Sequence, residues 1–433
     1  MSIQTAAGTN GPVRIFDTTL RDGMQGIEIN YSLEDKLAIA LALDKLGIDY
    51  IEGGFPLANE KEAAFFKACA KMSFSHARIT AFGSTRKPGG DAGKDHHLKA
   101  LLAAETKAVV VVGKAWKAHV EKVLGTTIEE NLRMIEDSVS ALKKEGREVI
   151  FDLEHFFDGW MDDADYARKV LAVAAGAGAD VLVPCDTNGG IMPHQVTAIY
   201  AEIAAWRQSS GLIPAATVLG CHFHNDCGTA VANSLLAVEG GAGHVQGTIN
   251  GWGERCGNAN LCAIMPNLVL KMGRRATCAD YLPHLTSLSR FVAEKANIIP
   301  DKRQPDVGTA SFAHKAGQHA DVIAKASHLM EHIDAALVGN ERQLLISELA
   351  GKSTVMEKMK KYGSFGKTDT IIEVLTRELK ERESLGYEYE AAEASFDLIM
   401  RKALGVYRPL LQLKNYHLET FKTAETQSKT VSR

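Results

Sequence analysis

The sequence predicts an α/β protein, a (β/α)8 TIM barrel followed by a small helical subdomain region. Three observations predict it. Between Val13 and about Gly273, eight short apolar or β-branched runs alternate with amphipathic helical stretches. That alternation implies a parallel sheet, and eight units in this length fit a closed barrel, which takes about 250 residues. Polar residues gather at the C-terminal ends of the runs, where a barrel builds its site. An open doubly wound sheet would want a glycine-rich phosphate turn after its first strand; that position holds Asp17-Thr-Thr-Leu-Arg-Asp-Gly23 instead.

The strands are expected at Val13–Phe16, Tyr50–Glu52, Arg78–Phe82, Ala108–Val112, Val149–Leu153, Val181–Cys185, Val218–Phe223 and His244–Ile249. Helices are expected at Leu33–Leu46, Glu129–Lys144, Asp165–Ala175 and Gly228–Gly240, the first opened by Ser32 with Asp35 and stopped by Gly47. Beyond residue 280 the rhythm stops and helical patterns dominate: Leu285–Ala296, His319–Ala326, Ser353–Met359, Asp369–Glu381 and Glu390–Leu404, with Asn297–Gly308 a loop. The expected division is a barrel over 12–275, helical subdomains over 276–410 that complete the site, and a polar tail over 411–433.

Composition narrows the function. The 433 residues exceed one barrel, and 45% hydrophobic with 24% charged residues is ordinary for a globular protein. A net charge of −4 speaks against capture of nucleic acid or an anionic membrane, and no apolar run is long enough to span a bilayer. Seven cysteines without CxxC pairs, and no signal-peptide core in Met1–Gly11, fit reduced thiols in the cytoplasm.

Six of the eight strand ends carry polar residues: Asp17, Arg21 and Asp22; Glu52; Asp152, Glu154 and His155; Asp186, Thr187 and Asn188; His222, His224, Asn225 and Asp226; Asn250, Glu254, Arg255 and Asn258. The sharpest feature is Cys221-His-Phe-His224. Side chains alternate along a strand, so His222 and His224 share a face and can hold one metal ion. Asp22 can add a carboxylate and Asn258 a carbonyl oxygen, a nitrogen and oxygen set that suits Mg2+, Mn2+, Zn2+ or Co2+. Cys221 faces the other way, which weakens a thiolate site, while Cys256 keeps one open. Arg21 supplies positive charge for a carboxylate or alkoxide; a structural ion pair with Glu52 or Glu254 is the plainer reading. Thr187 can bond a small carboxylate or merely cap a turn. His96–His97 begins a surface helix, and Gly189–Gly190 serve a tight turn.

Together, Asp17-Thr-Thr-Leu-Arg-Asp-Gly23, His222-Phe-His-Asn-Asp226 and Gly251-Trp-Gly-Glu-Arg-Cys-Gly-Asn258 resemble the 2-isopropylmalate, homocitrate and citramalate synthases, from about Arg14 to Tyr407. Gly53-Gly-Phe-Pro56, Glu154-His-Phe-Phe-Asp-Gly159 and Asp186-Thr-Asn-Gly-Gly190 are most similar to the citramalate branch. The resemblance implies a divalent metal on Asp22, His222 and His224 with Asn258 at or near it, and a 2-oxo acid on Arg21 and Thr187. It implies that Glu154 lines the acyl pocket, that His319 in Lys315-Ala-Gly-Gln-His319 is the enolising base, and that Glu254 is a second acid-base or orienting group. The implied reaction joins acetyl-CoA to pyruvate, giving (R)-citramalate and CoA for isoleucine biosynthesis in a homodimer. Phe156 or Phe157 is expected to limit the pocket.

Two departures stand out: Met330 where relatives often carry a tyrosine, and too few residues after Leu404 for the usual regulatory domain, of which the tail 411–433 would be a remnant. Isoleucine inhibition is therefore not expected. A 2-isopropylmalate or homocitrate synthase, an acyl-CoA lyase and a catalytically dead binding barrel are the alternative readings.

Overall fold

The computed structural model describes residues 11–314, 326, 329–344, 352–366, 368–389, 392–409, 411–412, 414–422 and 428–432. Its contacts define two compact units. The first comprises Met1–Phe312 with Ile333–Arg342, and the second Ala313–His332 with Gln343–Arg433.

The first unit is a closed barrel. Its strands are β1 (Arg14–Asp17), β2 (Tyr50–Gly54), β3 (Arg78–Ser84), β4 (Ala108–Lys114), β5 (Glu148–Glu154), β6 (Val181–Asp186), β7 (Val218–Phe223) and β8 (His244–Gly247). Each pairs in parallel with the next, and β1 closes the ring on β8 from Arg14↔His244 to Asp17↔Gly247. All eight expected runs are strands. The eighth is shorter than expected, because the chain leaves it for a 3-10 turn at Ile249–Gly251 in which Asn250 is left-handed.

Strand periodicity sorts the side chains into two cores. Phe16, Tyr50, Val110, Ile150, Val181, Val183 and Cys185 fill the barrel interior. The alternate residues Ile15, Ile51, Val109, Val111, Phe151, Leu182 and Cys221 meet the surrounding helices. Helix α1 (Leu33–Lys45) begins at a Ser32–Asp35 capping box. Helix α2 spans Glu60–Cys69, and α3 (His96–Ala103) starts on Asp95, which accepts from the backbone N–H groups of His97 and Leu98. His97 is not purely a surface residue; its ring stacks on Phe55 at 5.6 Å.

The barrel unit does not end at the eighth strand. The helix Leu285–Lys295 packs back onto it, and Thr286 donates to the Val338 carbonyl at 2.7 Å. Asn340 donates to the Asp306 and Gly308 carbonyls, tying the returning segment to the 301–308 loop. The second unit holds helices Lys352–Met359, Thr370–Ser384 and Glu393–Ala403 around their own core of Val355, Met359, Ile372, Leu375, Phe396 and Met400. Its last residues pair as antiparallel strands, Leu418–Lys422 with Ser428–Ser432, where only a weakly patterned tail was expected. Of the expected helix His319–Ala326, residues 319–325 lie outside the described residues.

One buried ion pair stands between α1 and α2. The Lys36 ammonium, with a side-chain exposure of 0%, lies 2.6 and 2.8 Å from the two Glu62 carboxylate oxygens and 5.0 Å from the Phe65 ring centre. Removing one partner strands a charge, whereas removing both does not. Lys36→Met is therefore expected to lower stability by about 3–5 kcal/mol, and Lys36→Met/Glu62→Leu by much less. Urea unfolding of both variants checks this. Equal losses would show that the pair is not the source of the cost.

Candidate active site

The alternation seen in β7 sets the site. Cys221 and Phe223 point into the helix-facing core, so His222 and the residue after the strand, His224, face the barrel interior. The Asp22 carboxylate comes from the loop after β1, with its Oδ2 3.6 Å from His222 Nε2 and 4.0 Å from His224 Nε2. That loop is held internally. Asp22 N–H donates to Thr18 Oγ1, and Asp17 accepts from both the backbone N–H and the hydroxyl of Thr19. Burial pushes the Asp17 carboxyl up to about 7, and its bonds to Thr19 pull against that shift.

Asn258 reaches the same point by a different route. The segment Gly251–Asn258 turns back so that Asn258 bridges His224 across the rim. Two glycines allow this. Gly253 has φ 157° and a Cβ there would lie 2.1 Å from Asn258 Nδ2; Gly257 has φ 86° and its Cβ would lie 2.0 Å from the Gly251 carbonyl oxygen. The Asn258 amide nitrogen donates to the Trp252 carbonyl at 3.3 Å, and its Oδ1, like Asp22 Oδ1, is buried without a hydrogen-bond partner among the described residues.

This donor set fits a divalent cation. The ligand atoms of Asp22, His222 and His224 lie within 4.8 Å of one another, the only such group of three or more among the described residues. Atoms about 2.0–2.2 Å from a shared ion would lie somewhat closer together than that, so a small contraction completes the set. Burial, with His224 nearby, lowers His222 to about 3, and burial lowers His224 as well, so both imidazoles are neutral at neutral pH. Burial works to raise Asp22, but Arg21 and the two histidines outweigh it and hold the carboxyl below its ordinary value. Ring nitrogens that are neutral lie beside an ionised carboxylate, and Asp22 Oδ1 and Asn258 Oδ1 are each buried without a hydrogen-bond partner among the described residues. Cys256 is exposed and outside this group, so the alternative of a thiolate ligand is not supported.

Arg21 makes the ion pair expected of it, and with Glu52 rather than Glu254. Its Nε donates to Glu52 Oε2 at 2.7 Å and its Nη1 to Asp22 Oδ2 at 3.0 Å, and the guanidinium lies 4.1 Å from the Phe82 ring centre. Burial disfavours the charge, yet Glu52 and Asp22 overcome it and hold the group cationic. Thr187 follows β6. Its Oγ1 accepts from His155 N–H at 2.8 Å, so it braces a turn and keeps its own hydroxyl proton to donate. Glu154, at the end of β5, is ion-paired with Lys114 from β4. Glu254 is more than half exposed, 3.6 Å from Arg255. Arg255 in turn grips Asp226 in a two-pronged pair at 2.9 and 3.0 Å and donates to the Thr187 carbonyl. His319 lies outside the described residues.

A cavity of about 350 Å³ joins these groups, lined by Arg21, Asp22, Glu154, Thr187, His222, His224 and Glu254 among others. Its wall also includes Phe82, Val112, Lys114, Asp152 and Cys185, which the sequence reading did not single out for the site except Asp152 as a rim residue. Phe82 and Val112 come from β3 and β4, the two strands whose ends carry no polar cluster; their signal was position alone, on the inward-facing alternation. Phe156 and Phe157, expected to limit the pocket, do not. Both are buried on the helix side of the barrel, Phe157 against Phe223 with ring centres 5.3 Å apart. The left-handed turn at His155, φ 56°, opens a short helix, Phe156–Asp162, which carries them away from the interior.

Comparison with known proteins places this architecture. Residues 12–292 match the HMGL-like family model, and residues 307–385 match the homocitrate synthase post-HMGL domain-like model. The chain is 47% identical to the (R)-citramalate synthase of Synechocystis sp. over 93% of its own length and 74% of that protein. It is 46% identical to the (R)-citramalate synthase of Aquifex aeolicus, over 94% of this chain and 76% of that one. Among solved structures, the HMG-CoA lyase of Bacillus subtilis aligns with a TM-score of 0.56 at 20% identity, covering 68% of this chain and 96% of the lyase, a likeness of fold. With its closed barrel, its matched second domain and these relatives, the chain belongs to the HMGL-like family, within the group of the (R)-citramalate synthases.

Proposed function

We propose that this chain condenses acetyl-CoA with pyruvate and hydrolyses the resulting thioester, giving (R)-citramalate and CoA. The observation that carries the reading is the convergence of Asp22, His222, His224 and Arg21 on one small cavity, in a chain close in sequence to (R)-citramalate synthases along most of its length. Asp22, His222 and His224 would hold a divalent metal, with Asn258 Oδ1 as a further oxygen donor. A metal bound there supplies Lewis-acid polarisation of a ketone oxygen. The identity of that metal, among Mg2+, Mn2+, Zn2+ and Co2+, is left open by a mixed nitrogen and oxygen set.

The chain's own groups account for the remaining steps. Arg21 presents fixed positive charge, pre-oriented by Glu52, to the pyruvate carboxylate or to the alkoxide that forms from its ketone. Thr187 donates its free hydroxyl proton to the carboxylate. Phe82 and Val112 form an apolar wall beside Arg21 that suits a methyl group. Glu154, set by Lys114, borders the side on which the acetyl group would enter. His319 takes a proton from the acetyl methyl, and the resulting carbanion adds to the ketone carbon. Glu254 at the mouth is placed to move protons or orient water for thioester cleavage. The His319 assignment rests on the resemblance of Lys315–His319, and a homodimer is inferred from the same family likeness.

A panel of 2-oxo acids tests the reading directly. Acetyl-CoA-dependent thiol release is expected to be fastest with pyruvate, with chromatography identifying citramalate as product. Faster turnover with 2-oxoisovalerate would make the chain a 2-isopropylmalate synthase, and cleavage without net condensation would make it a lyase. His319→Ala is expected to slow condensation by about 10²–10⁴-fold while pyruvate binding persists, because general acid-base groups contribute on that scale. A loss below about tenfold would move the base elsewhere. Val112→Ala widens the wall beside Arg21. It should raise the 2-oxobutyrate-to-pyruvate ratio of kcat/KM by about tenfold, the lower end of what one methylene decides. An unchanged ratio would show that Val112 does not face the substrate's alkyl group.

A further inference from the structure

Behind His222 lies a hydrogen-bonded line of side chains from three strands. His222 Nδ1 lies 2.9 Å from Gln246 Oε1, and Gln246 Nε2 lies 3.0 Å from Asp152 Oδ1. The three residues come from β7, β8 and β5, so the line crosses the barrel interior. Gln246 is fully buried, and Asp152 is 4% exposed. Gln246 sits one position before Gly247, on the inward alternation of β8, in register with Phe16 of β1.

We propose that Gln246 and Asp152 are positioning residues that set the His222 ring for metal binding, an inference that rests on the metal site proposed above. A neutral imidazole carries its proton on one nitrogen only. With the amide carbonyl of Gln246 facing Nδ1, the proton resides on Nδ1 and the lone pair on Nε2, the atom that faces Asp22. An amide turned by half a rotation would place its NH2 against Nδ1 and favour the opposite, non-ligating tautomer. Asp152 opposes that turn, because its Oδ1 accepts from the NH2 end. Asp152 thus acts on His222 through Gln246. Among the described residues His224 has no counterpart: its Nδ1 is buried without a hydrogen-bond partner there. The two histidines therefore divide the work. His222 is the oriented ligand, and His224 takes its orientation from strand geometry and its bridge to Asn258.

Carboxylate-to-histidine relays of this kind typically change metal affinity by about 10–100-fold when broken. The test measures Co2+ binding to the full chain by calorimetry and by the visible absorption of the bound ion, with no substrate present, so that any contact of Asp152 with pyruvate plays no part. Gln246→Met keeps the volume and loses the acceptor; it is expected to weaken Co2+ binding by about 10–100-fold. Gln246→Glu keeps an acceptor for Nδ1–H and is expected to recover most of the loss. Asp152→Leu keeps the branched shape and leaves the Gln246 NH2 without its acceptor; it is expected to weaken binding by about tenfold, and it decides the matter if Gln246→Met does not fold. Thermal unfolding checks that each variant is native. If the parent binds one Co2+ per chain and Asp152→Leu, with Gln246→Met where folded, binds it as tightly, the relay is wrong and the metal site stands. If Gln246→Glu, folded, binds as weakly as Gln246→Met, an acceptor role is likewise overturned. Should the parent bind no Co2+ that His222→Ala abolishes, the metal reading fails and the relay with it.

Discussion

Arg21 is the counter-charge on which the catalytic rim depends. Asp22, Glu52 and Asp152 are all nearly or wholly buried at the same end of the barrel, and three carboxyls cannot be kept there ionised without compensation. One guanidinium answers two of them directly, Glu52 through Nε and Asp22 through Nη1, and lies over the Phe82 ring. The planar fork suits this double role in a way that an ammonium would not. Because the second prong reaches Asp22, the same residue that neutralises the rim also keeps the carboxylate ionised and aimed at His222 and His224.

The rest of the rim divides its acidity by neighbourhood. Glu52 and Asp152 are raised, by burial first, and Asp22 is lowered because Arg21 and the histidines lie beside it. Asp17 and Asp186 sit at strand ends as well, but they turn back on their own loops: Asp17 onto Thr19, and Asp186 onto the Gly190 and Ile191 N–H groups, with burial raising Asp186 to about 6. Strand-end acids thus fall into two groups, those that shape the turns and those that face the cavity. Glycines at 253 and 257 belong to the first kind of work, since they let the last loop fold closely enough to bring Asn258 across to His224.

Selectivity for a small 2-oxo acid, on the reading proposed here, comes from the strands with the least conspicuous ends. Phe82 on β3 and Val112 on β4 carry no charge and form no motif, yet both line the cavity beside the residues expected to grip the carboxylate. Apolar walls discriminate by volume, and each methylene is worth only about 1–3 kcal/mol. Activity with slightly larger 2-oxo acids is consistent with such a wall.

The amino-acid sequence by itself determined the barrel, its eight strands, and the pair of histidines that faces the interior. Strand periodicity is a local property, and it alone separates His222 and His224 from Cys221. Three short motifs likewise carried the family and with it Arg21, Asp22, Thr187 and Asn258. Tertiary structure decided what depends on residues far apart in the chain: that Arg21 pairs with Glu52 and not Glu254, that Phe82 and Val112 rather than Phe156 and Phe157 wall the cavity, and that Gln246 meets both Asp152 and His222. The reason is closure of the sheet. Ring closure turns the inner faces of β5, β7 and β8 onto a shared interior, so residues 94 positions apart meet at 3.0 Å. A left-handed turn at His155 swings Phe156 and Phe157 out of that interior and into the helix-facing core.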